Sequence, residues 1–164
     1  MVRYIYGDII EKQKELEIDI ICHQVNCQGK MGSGVAKRIR NAYPIVYTNY
    51  MKKCEDEAPS YNLGTIQLVP LYETYTENGF NPQCCNFFSQ FEYGYDGKRY
   101  TSYDAFWNCL HLIKQVVPKG KKIGFPARIG CGLGGANWNI ISYMIAEVLS
   151  EDYIIYVIDL QEEK

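Results

Sequence analysis

Two kinds of apolar pattern alternate along the chain. Short β-rich runs fall near Val2–Tyr6, Ile18–His23, Thr65–Pro70, Cys84–Phe88, Lys122–Pro126 and Tyr153–Ile158, and they predict about six strands. Ile18, Ile20, Ile21 and Cys22 are nearly continuous in apolar character, as expected of a strand buried on both faces. Between the strands, Phe106, Cys109, Leu110, Ile113, Val116 and Val117 recur at helical spacing, as do Ile141, Met144, Ile145, Val148 and Leu149. These predict two core-facing helices. The first begins near Thr101 or Ser102 and stops before Pro118, and the second takes Asn137 as its N-cap. An earlier helix starts at about Gly34 and breaks near Pro44, with a further helical segment running through Lys53. Tyr72–Pro82 and Phe91–Arg99 read as surface loops. The alternation predicts an α/β fold, a sheet covered by helices, in one domain spanning 1–164.

Composition narrows the function classes. The formal net charge is −2, so no basic excess exists to hold a nucleic-acid backbone, and any such partner must be engaged locally. The chain has 15 tyrosines but no Tyr-rich repeat, which predicts amphipathic wall and rim residues. The seven cysteines are odd in number and contain no Cys-x-x-Cys pair, which argues against a disulfide framework and a structural zinc site. A reducing cytoplasm fits best. The N-terminus runs directly into a strand pattern rather than a signal peptide, and no apolar run reaches the roughly 20 residues needed to cross a bilayer. No membrane partner is expected.

Two segments carry the chemistry. In the first, His23 to Arg38, a buried strand ends, a polar glycine-rich loop follows and a helix starts near Gly34. Exposed backbone N–H groups and the positive end of a helix dipole make such a loop an anion site, and glycines let the main chain approach a diphosphate. The second, Phe125 to Trp138 with Gly130-Cys-Gly-Leu-Gly-Gly at its centre, repeats the order of strand, glycine-rich loop and capped helix. Each loop taken alone can also be read as a connection, the first as a tight turn with glycine caps and the second as a flexible link. Two of them, leaving the carboxyl ends of neighbouring strands, suggest a ligand with two phosphates. Neither is a Walker loop, and no Gly-x-Gly-x-x-Gly opens a helix after the first strand. Kinase and dehydrogenase readings fall.

Gly7-Asp8-Ile9, the segment from His23 to Ala36 and Gly130-Cys-Gly-Leu-Gly-Gly, in that order, together resemble the macrodomain family over nearly the whole chain. The resemblance is greatest to the branch of the yeast-type ADP-ribose 1''-phosphate phosphatase, and around Arg128-Ile-Gly-Cys-Gly-Leu to the terminal ADP-ribose protein glycohydrolases. It implies a three-layer α/β/α domain with a central mixed sheet, and a site for ADP-ribose or ADP-ribose 1''-phosphate. Asp8 matches the acid that accepts from the adenine amino group, with Ile9 beside it. Asn26 matches the residue reaching the distal ribose. Gly32, Ser33, Gly34 and Val35 match the loop around that ribose and the diphosphate, and Ile129, Gly130, Cys131, Gly132, Leu133 and Gly134 match the second phosphate loop. Read from chemistry alone, Asp8 also suits a helix or turn cap, and Asn26 a turn former.

The glycohydrolase branch uses a lysine in the first helix and an aspartate after Gly-Cys-Gly-Leu, where this chain carries Arg40 and Gly134. Arginine stays protonated and forms no covalent adduct, and glycine supplies no acid or base. His23 matches the histidine assigned to catalysis in the phosphatase branch, where an imidazole near neutral pKa activates water or protonates a leaving group. The competing reading of His23 is a neutral, hydrogen-bonded strand residue. His111 suits a structural position in a helix, and Cys131 suits a small packing residue better than a reactive thiol. No His/Asp/Glu cluster has metal spacing, so metal- and cofactor-independent action is expected. The leading expectation is hydrolysis of ADP-ribose 1''-phosphate by His23 and Asn26. The others are a non-catalytic ADP-ribose module and a hydrolase acting on ADP-ribosylated protein or nucleic acid.

Overall fold

The computed structural model describes residues 1–32, 34–74 and 76–160. Its elements run β1 (Val2–Tyr6), α1 (Ile9–Glu15), β2 (Ile20–Asn26), α2 (Gly34–Ala42), α3 (Pro44–Asp56), α4 (Pro59–Asn62), β3 (Ile66–Pro70), β4 (Gln83–Gln90), α5 (Tyr103–Val116), β5 (Lys122–Pro126), α6 (Trp138–Leu149) and β6 (Ile154–Asp159). The strands form one six-stranded mixed sheet in the order β1-β6-β5-β2-β4-β3. All pairings are parallel except β3 with β4.

Strand alternation divides the apolar residues between two faces. Ile20 and Cys22 of β2 pack with Phe106, Leu110 and Ile113 of α5 and with Ile141, Ile145 and Leu149 of α6. Ile21 turns the other way, to Ile9 of α1, Ile39 of α2 and Val46 of α3. Helices therefore cover both faces, and the architecture is the expected three-layer α/β/α. The caps also fall where the pattern put them. Ser102 accepts from Ala105 N at the start of α5, and Asn137 accepts from Asn139 N at the start of α6. Trp138 packs partly buried against the α5–α6 core.

Two differences from the sequence reading bear on the site. β2 continues three residues past His23, to Asn26, so His23 lies inside the strand and not at its end. Gln24 and Asn26 extend a strand that looked finished because their amides are satisfied, that of Gln24 by distant partners and that of Asn26 by the following turn, which an apolar pattern does not register. Helices α1 and α4 were not foreseen. α1 is seven residues long and buries only Ile9 and Gln13, too few positions to form a periodic stripe. Its start is set by Asp8, whose Oδ1 accepts from Ile10 N at 2.8 Å and Glu11 N at 3.1 Å.

Candidate functional site

A cleft of about 830 Å³ opens at the carboxyl ends of β2 and β5, central neighbours in the sheet. Both glycine-rich loops form its walls. Asn26, Gly29 to Gly32, Gly34 and Val35 come from the loop after β2 and the start of α2, and Ala127 to Gly130 with Gly132 to Gly134 from the loop after β5. Tyr47 of α3 and Tyr93, Gly94 and Tyr95 of the loop after β4 add an aromatic rim. Among the residues expected at a ligand, Ser33 lies outside the described residues, and Cys131, Asp8 and Ile9 are not among those lining the cleft.

The first loop is built on Asn26. Its Oδ1 accepts from Gln28 N at 3.0 Å and Lys30 N at 3.3 Å, while its Nδ2 donates to Lys30 O at 2.8 Å. The buried Tyr50 hydroxyl donates to the Asn26 carbonyl at 2.6 Å. Cys27 N and the Gln28 amide both donate to Phe91 O, tying this loop to the aromatic one. The Asn26 amide thus holds the loop's own turn while the residue lines the cleft. Farther along, Gly32 and Gly34 face open space, with no atom within 4 Å of where a Cβ would stand.

The second loop is held from beneath by a buried polar network that sequence reasoning missed. Gln24 Nε2 donates to Gln90 Oε1 and to Thr101 Oγ1, each at 2.8 Å, and Ser89 Oγ donates to Gln24 Oε1 at 2.6 Å. Thr101 Oγ1 passes the chain on to Gly130 O at 2.8 Å. Tyr100 N and Thr101 N both donate to Gly134 O. Gly134 has no room for a side chain, because a Cβ there would lie 2.5 Å from Gly130 O and 2.6 Å from Thr101 Oγ1. The aspartate expected of the glycohydrolase branch is therefore excluded by packing as well as by sequence. The partners of Gln24 lie 65 to 77 residues away, beyond any local signal. The apolar pattern ends at His23, so Gln24 reads as the start of the polar loop.

Cys131 is half-buried, and desolvation pushes its thiol up to about 11 despite the opposing charge of Arg128. It is a thiol at neutral pH, which fits the packing role. Ile129 is buried, whereas Leu133 is half-exposed at the cleft. Arg40 also lines the cleft, with its guanidinium 3.8 Å from the Tyr47 ring centroid. Asp8, besides capping α1, pairs with Arg38 of α2. His111 is exposed on α5, edge-on to Trp107 at 4.9 Å.

His23 lies on the cleft floor, 1% exposed. A relay fixes its tautomer. Gln67 Nε2 donates to Asn49 O, which turns Gln67 Oε1 toward Asn86 Nδ2; Asn86 Oδ1 then faces His23 Nε2 at 2.5 Å. Nε2 must carry the proton, leaving Nδ1 as an acceptor with no partner. Desolvation lowers the ring's pKa to about 4, only partly offset by the bond to Asn86. The imidazole is neutral at physiological pH. Among the described residues no group of three or more His, Cys, Asp or Glu is placed to hold a metal ion, and no helix is long and apolar enough to cross a membrane.

Fold and cleft together define an α/β domain built to take a phosphorylated ligand between two glycine-rich loops at the carboxyl ends of parallel strands. The chain belongs to the macro domain family, whose model matches residues 22–144. It is 29% identical, over 96% of each chain, to an uncharacterized 17.5 kDa protein of the tk–vs intergenic region of phage T4. It is 32% identical to the ADP-ribose 1''-phosphate phosphatase of Scheffersomyces stipitis over 56% of this chain and 57% of that one, so the match spans little more than half of that enzyme. Among solved structures it superimposes on Thermosipho africanus DarTG, determined in complex with ADP-ribose, with a TM-score of 0.74 at 20% identity, over 99% of this chain and 43% of that one.

Proposed function

We propose that the cleft binds ADP-ribose and that the protein hydrolyses ADP-ribose 1''-phosphate to ADP-ribose and phosphate. The observation that carries this reading is the convergence of two glycine-rich loops on one cleft of about 830 Å³. Backbone N–H groups of Gly32, Gly34 and Val35 on one side, and of Gly130, Gly132 and Gly134 on the other, are the available donors for a diphosphate. The names of the yeast phosphatases and the ligand of the Thermosipho protein support the same ligand class.

In this reading water attacks the phosphorus of the 1''-phosphate, the bond from phosphorus to the ribose oxygen breaks, and that oxygen takes up a proton from solvent and leaves as the ribose hydroxyl. The loop amides orient the phosphate and stabilise its developing charge. His23 Nδ1, held unprotonated by the relay to Asn86, is the acceptor for the water's proton, and Asn26 fixes the loop that positions the ribose. His23→Ala tests this. Loss of phosphate release with ADP-ribose affinity retained supports the role, and unchanged turnover removes His23 from the mechanism.

The near-complete burial of His23 favours a second reading, a module that binds ADP-ribose without turning it over. Absence of phosphate release by a chain that binds ADP-ribose establishes it. ADP-ribose attached to a macromolecule is a further candidate ligand for the same cleft, tested by retention of an ADP-ribosylated protein or oligonucleotide. A reducing cytoplasm suits seven cysteines that are all free, and fractionation of cells expressing the chain tests that placement.

A further inference from the structure

The buried network beneath the second loop has a direction, and it ends in the cleft. Gly130 O is a carbonyl and only accepts, so the Thr101 hydroxyl spends its single proton there, at 2.8 Å. Thr101 Oγ1 must then accept from the Gln24 amide nitrogen, at 2.8 Å, and the second proton of that nitrogen goes to Gln90 Oε1, also at 2.8 Å. The Ser89 hydroxyl, donating to Gln24 Oε1 at 2.6 Å, agrees with this polarity. With its oxygen turned to Gln24, the Gln90 amide has Nε2 as its outer end, a donor from which no described residue accepts.

Gln90 is the last residue of β4, in register with Asn26 of β2 and bridged to Thr101. It is 9% exposed and lines the cleft. The Gln24 amide to which it bonds lies against the second loop, 3.0 Å and 2.9 Å from where a Cβ of Gly130 or Gly134 would stand. Two relays, each rooted on a backbone carbonyl, therefore serve one cleft with opposite results. The relay from Asn49 O through Gln67 and Asn86 leaves His23 Nδ1 as an unpartnered acceptor. The relay from Gly130 O through Thr101 and Gln24 leaves Gln90 Nε2 as a donor.

We propose that Gln90 Nε2 donates to a phosphoryl oxygen of the 1''-phosphate and holds it for the water whose proton His23 Nδ1 accepts. The attacking water needs an acceptor and the phosphoryl oxyanion needs a donor, and the two relays supply one of each. Because both polarities are set by the fold, neither group has to rotate or change protonation before the ligand arrives. The inference rests on the phosphatase reading and adds to it a residue that contacts the reacting phosphate.

Gln90→Glu and Gln90→Leu test it, read by kcat/KM for phosphate release from ADP-ribose 1''-phosphate, by calorimetric titration with ADP-ribose and by melting temperature. The glutamate still accepts from Gln24 Nε2, so Gln90→Glu is expected to melt near the wild-type temperature and to bind ADP-ribose, which has no 1''-phosphate, within about threefold of wild type. It turns an anionic oxygen toward the phosphate and is expected to lose more than about 100-fold in kcat/KM. Gln90→Leu removes the donor without adding charge and is expected to lose about thirtyfold, the scale of one hydrogen bond to a charged group. Unchanged phosphate release in Gln90→Glu overturns the assignment. A loss in Gln90→Glu no larger than in Gln90→Leu overturns the contact to an anion, and an equal loss of ADP-ribose affinity overturns it in favour of loop support alone. A wild-type chain that binds ADP-ribose but releases no phosphate overturns the phosphatase reading and this inference with it, whereas failure of the substitutions alone leaves that reading intact.

Discussion

The two glycine-rich loops look alike in sequence and are built differently. The loop after β5 rests on a closed network from Ser89 through Gln24 and Thr101 to Gly130 O, and both Gly134 and Gly135 are hemmed in at under 3 Å by backbone atoms. The loop after β2 is held at its base by Asn26, Tyr50 and Phe91 O and by buried Met31, while Gly32 and Gly34 face empty space. A glycine thus serves two purposes here. In one loop it is the only residue that fits between backbone segments, and in the other it keeps the main chain bare toward the cleft. The loop after β5 is preorganised before ligand arrives, whereas the loop after β2 leaves room to adjust around it.

The severest way to break the contrast is Gly134→Asp, which places a side chain where only a hydrogen fits. It is expected to cost at least about 3 kcal/mol of stability and to abolish ADP-ribose binding. Denaturant titration showing wild-type stability contradicts the packing. The cleft floor supplies an effect of similar size. His23 has a pKa of about 4 when folded against 6.5 when free, so below pH 6.5 the unfolded chain binds a proton that the folded chain does not. Stability is full above that pH and falls by roughly 3 kcal/mol as pH drops toward 4. His23→Leu should flatten this part of the curve; an unchanged slope assigns the loss to other groups.

A finer cut removes one hydroxyl from beneath the second loop. Thr101→Val leaves Gly130 O and one Gln24 N–H without this partner and is expected to cost about 1–3 kcal/mol, with weaker ADP-ribose binding. Unaltered affinity would show that the network holds the fold but not the loop. The smallest effect belongs to Gly32→Ala in the open loop, where stability should stay within about 0.5 kcal/mol of wild type. Any loss of affinity there reports a methyl group facing the ligand, and a clear drop in melting temperature contradicts the open space.

β1 and β5 were legible to the residue, and both glycine loops were visible in the sequence, because each follows an apolar run and precedes a helix. What stayed hidden was pairing over distance. Gln24 reads as the start of the polar loop after a strand ending at His23, and only the fold shows that it joins β4 to the second loop through partners 65 to 77 residues away. Asn26 carried the signal of a site residue, and in the fold it lines the cleft while its amide also holds the loop through Lys30 and Gln28. Asp8 likewise caps α1 and pairs with Arg38. Short polar side chains near glycines suit turns and ligands equally well, and local pattern does not separate the two.

Calorimetric titration of the wild-type chain with ADP-ribose, with ATP and NAD as controls, tests the central claim most directly. Selective binding of ADP-ribose in the micromolar range is expected. No heat with ADP-ribose, or equal binding of all three, contradicts it.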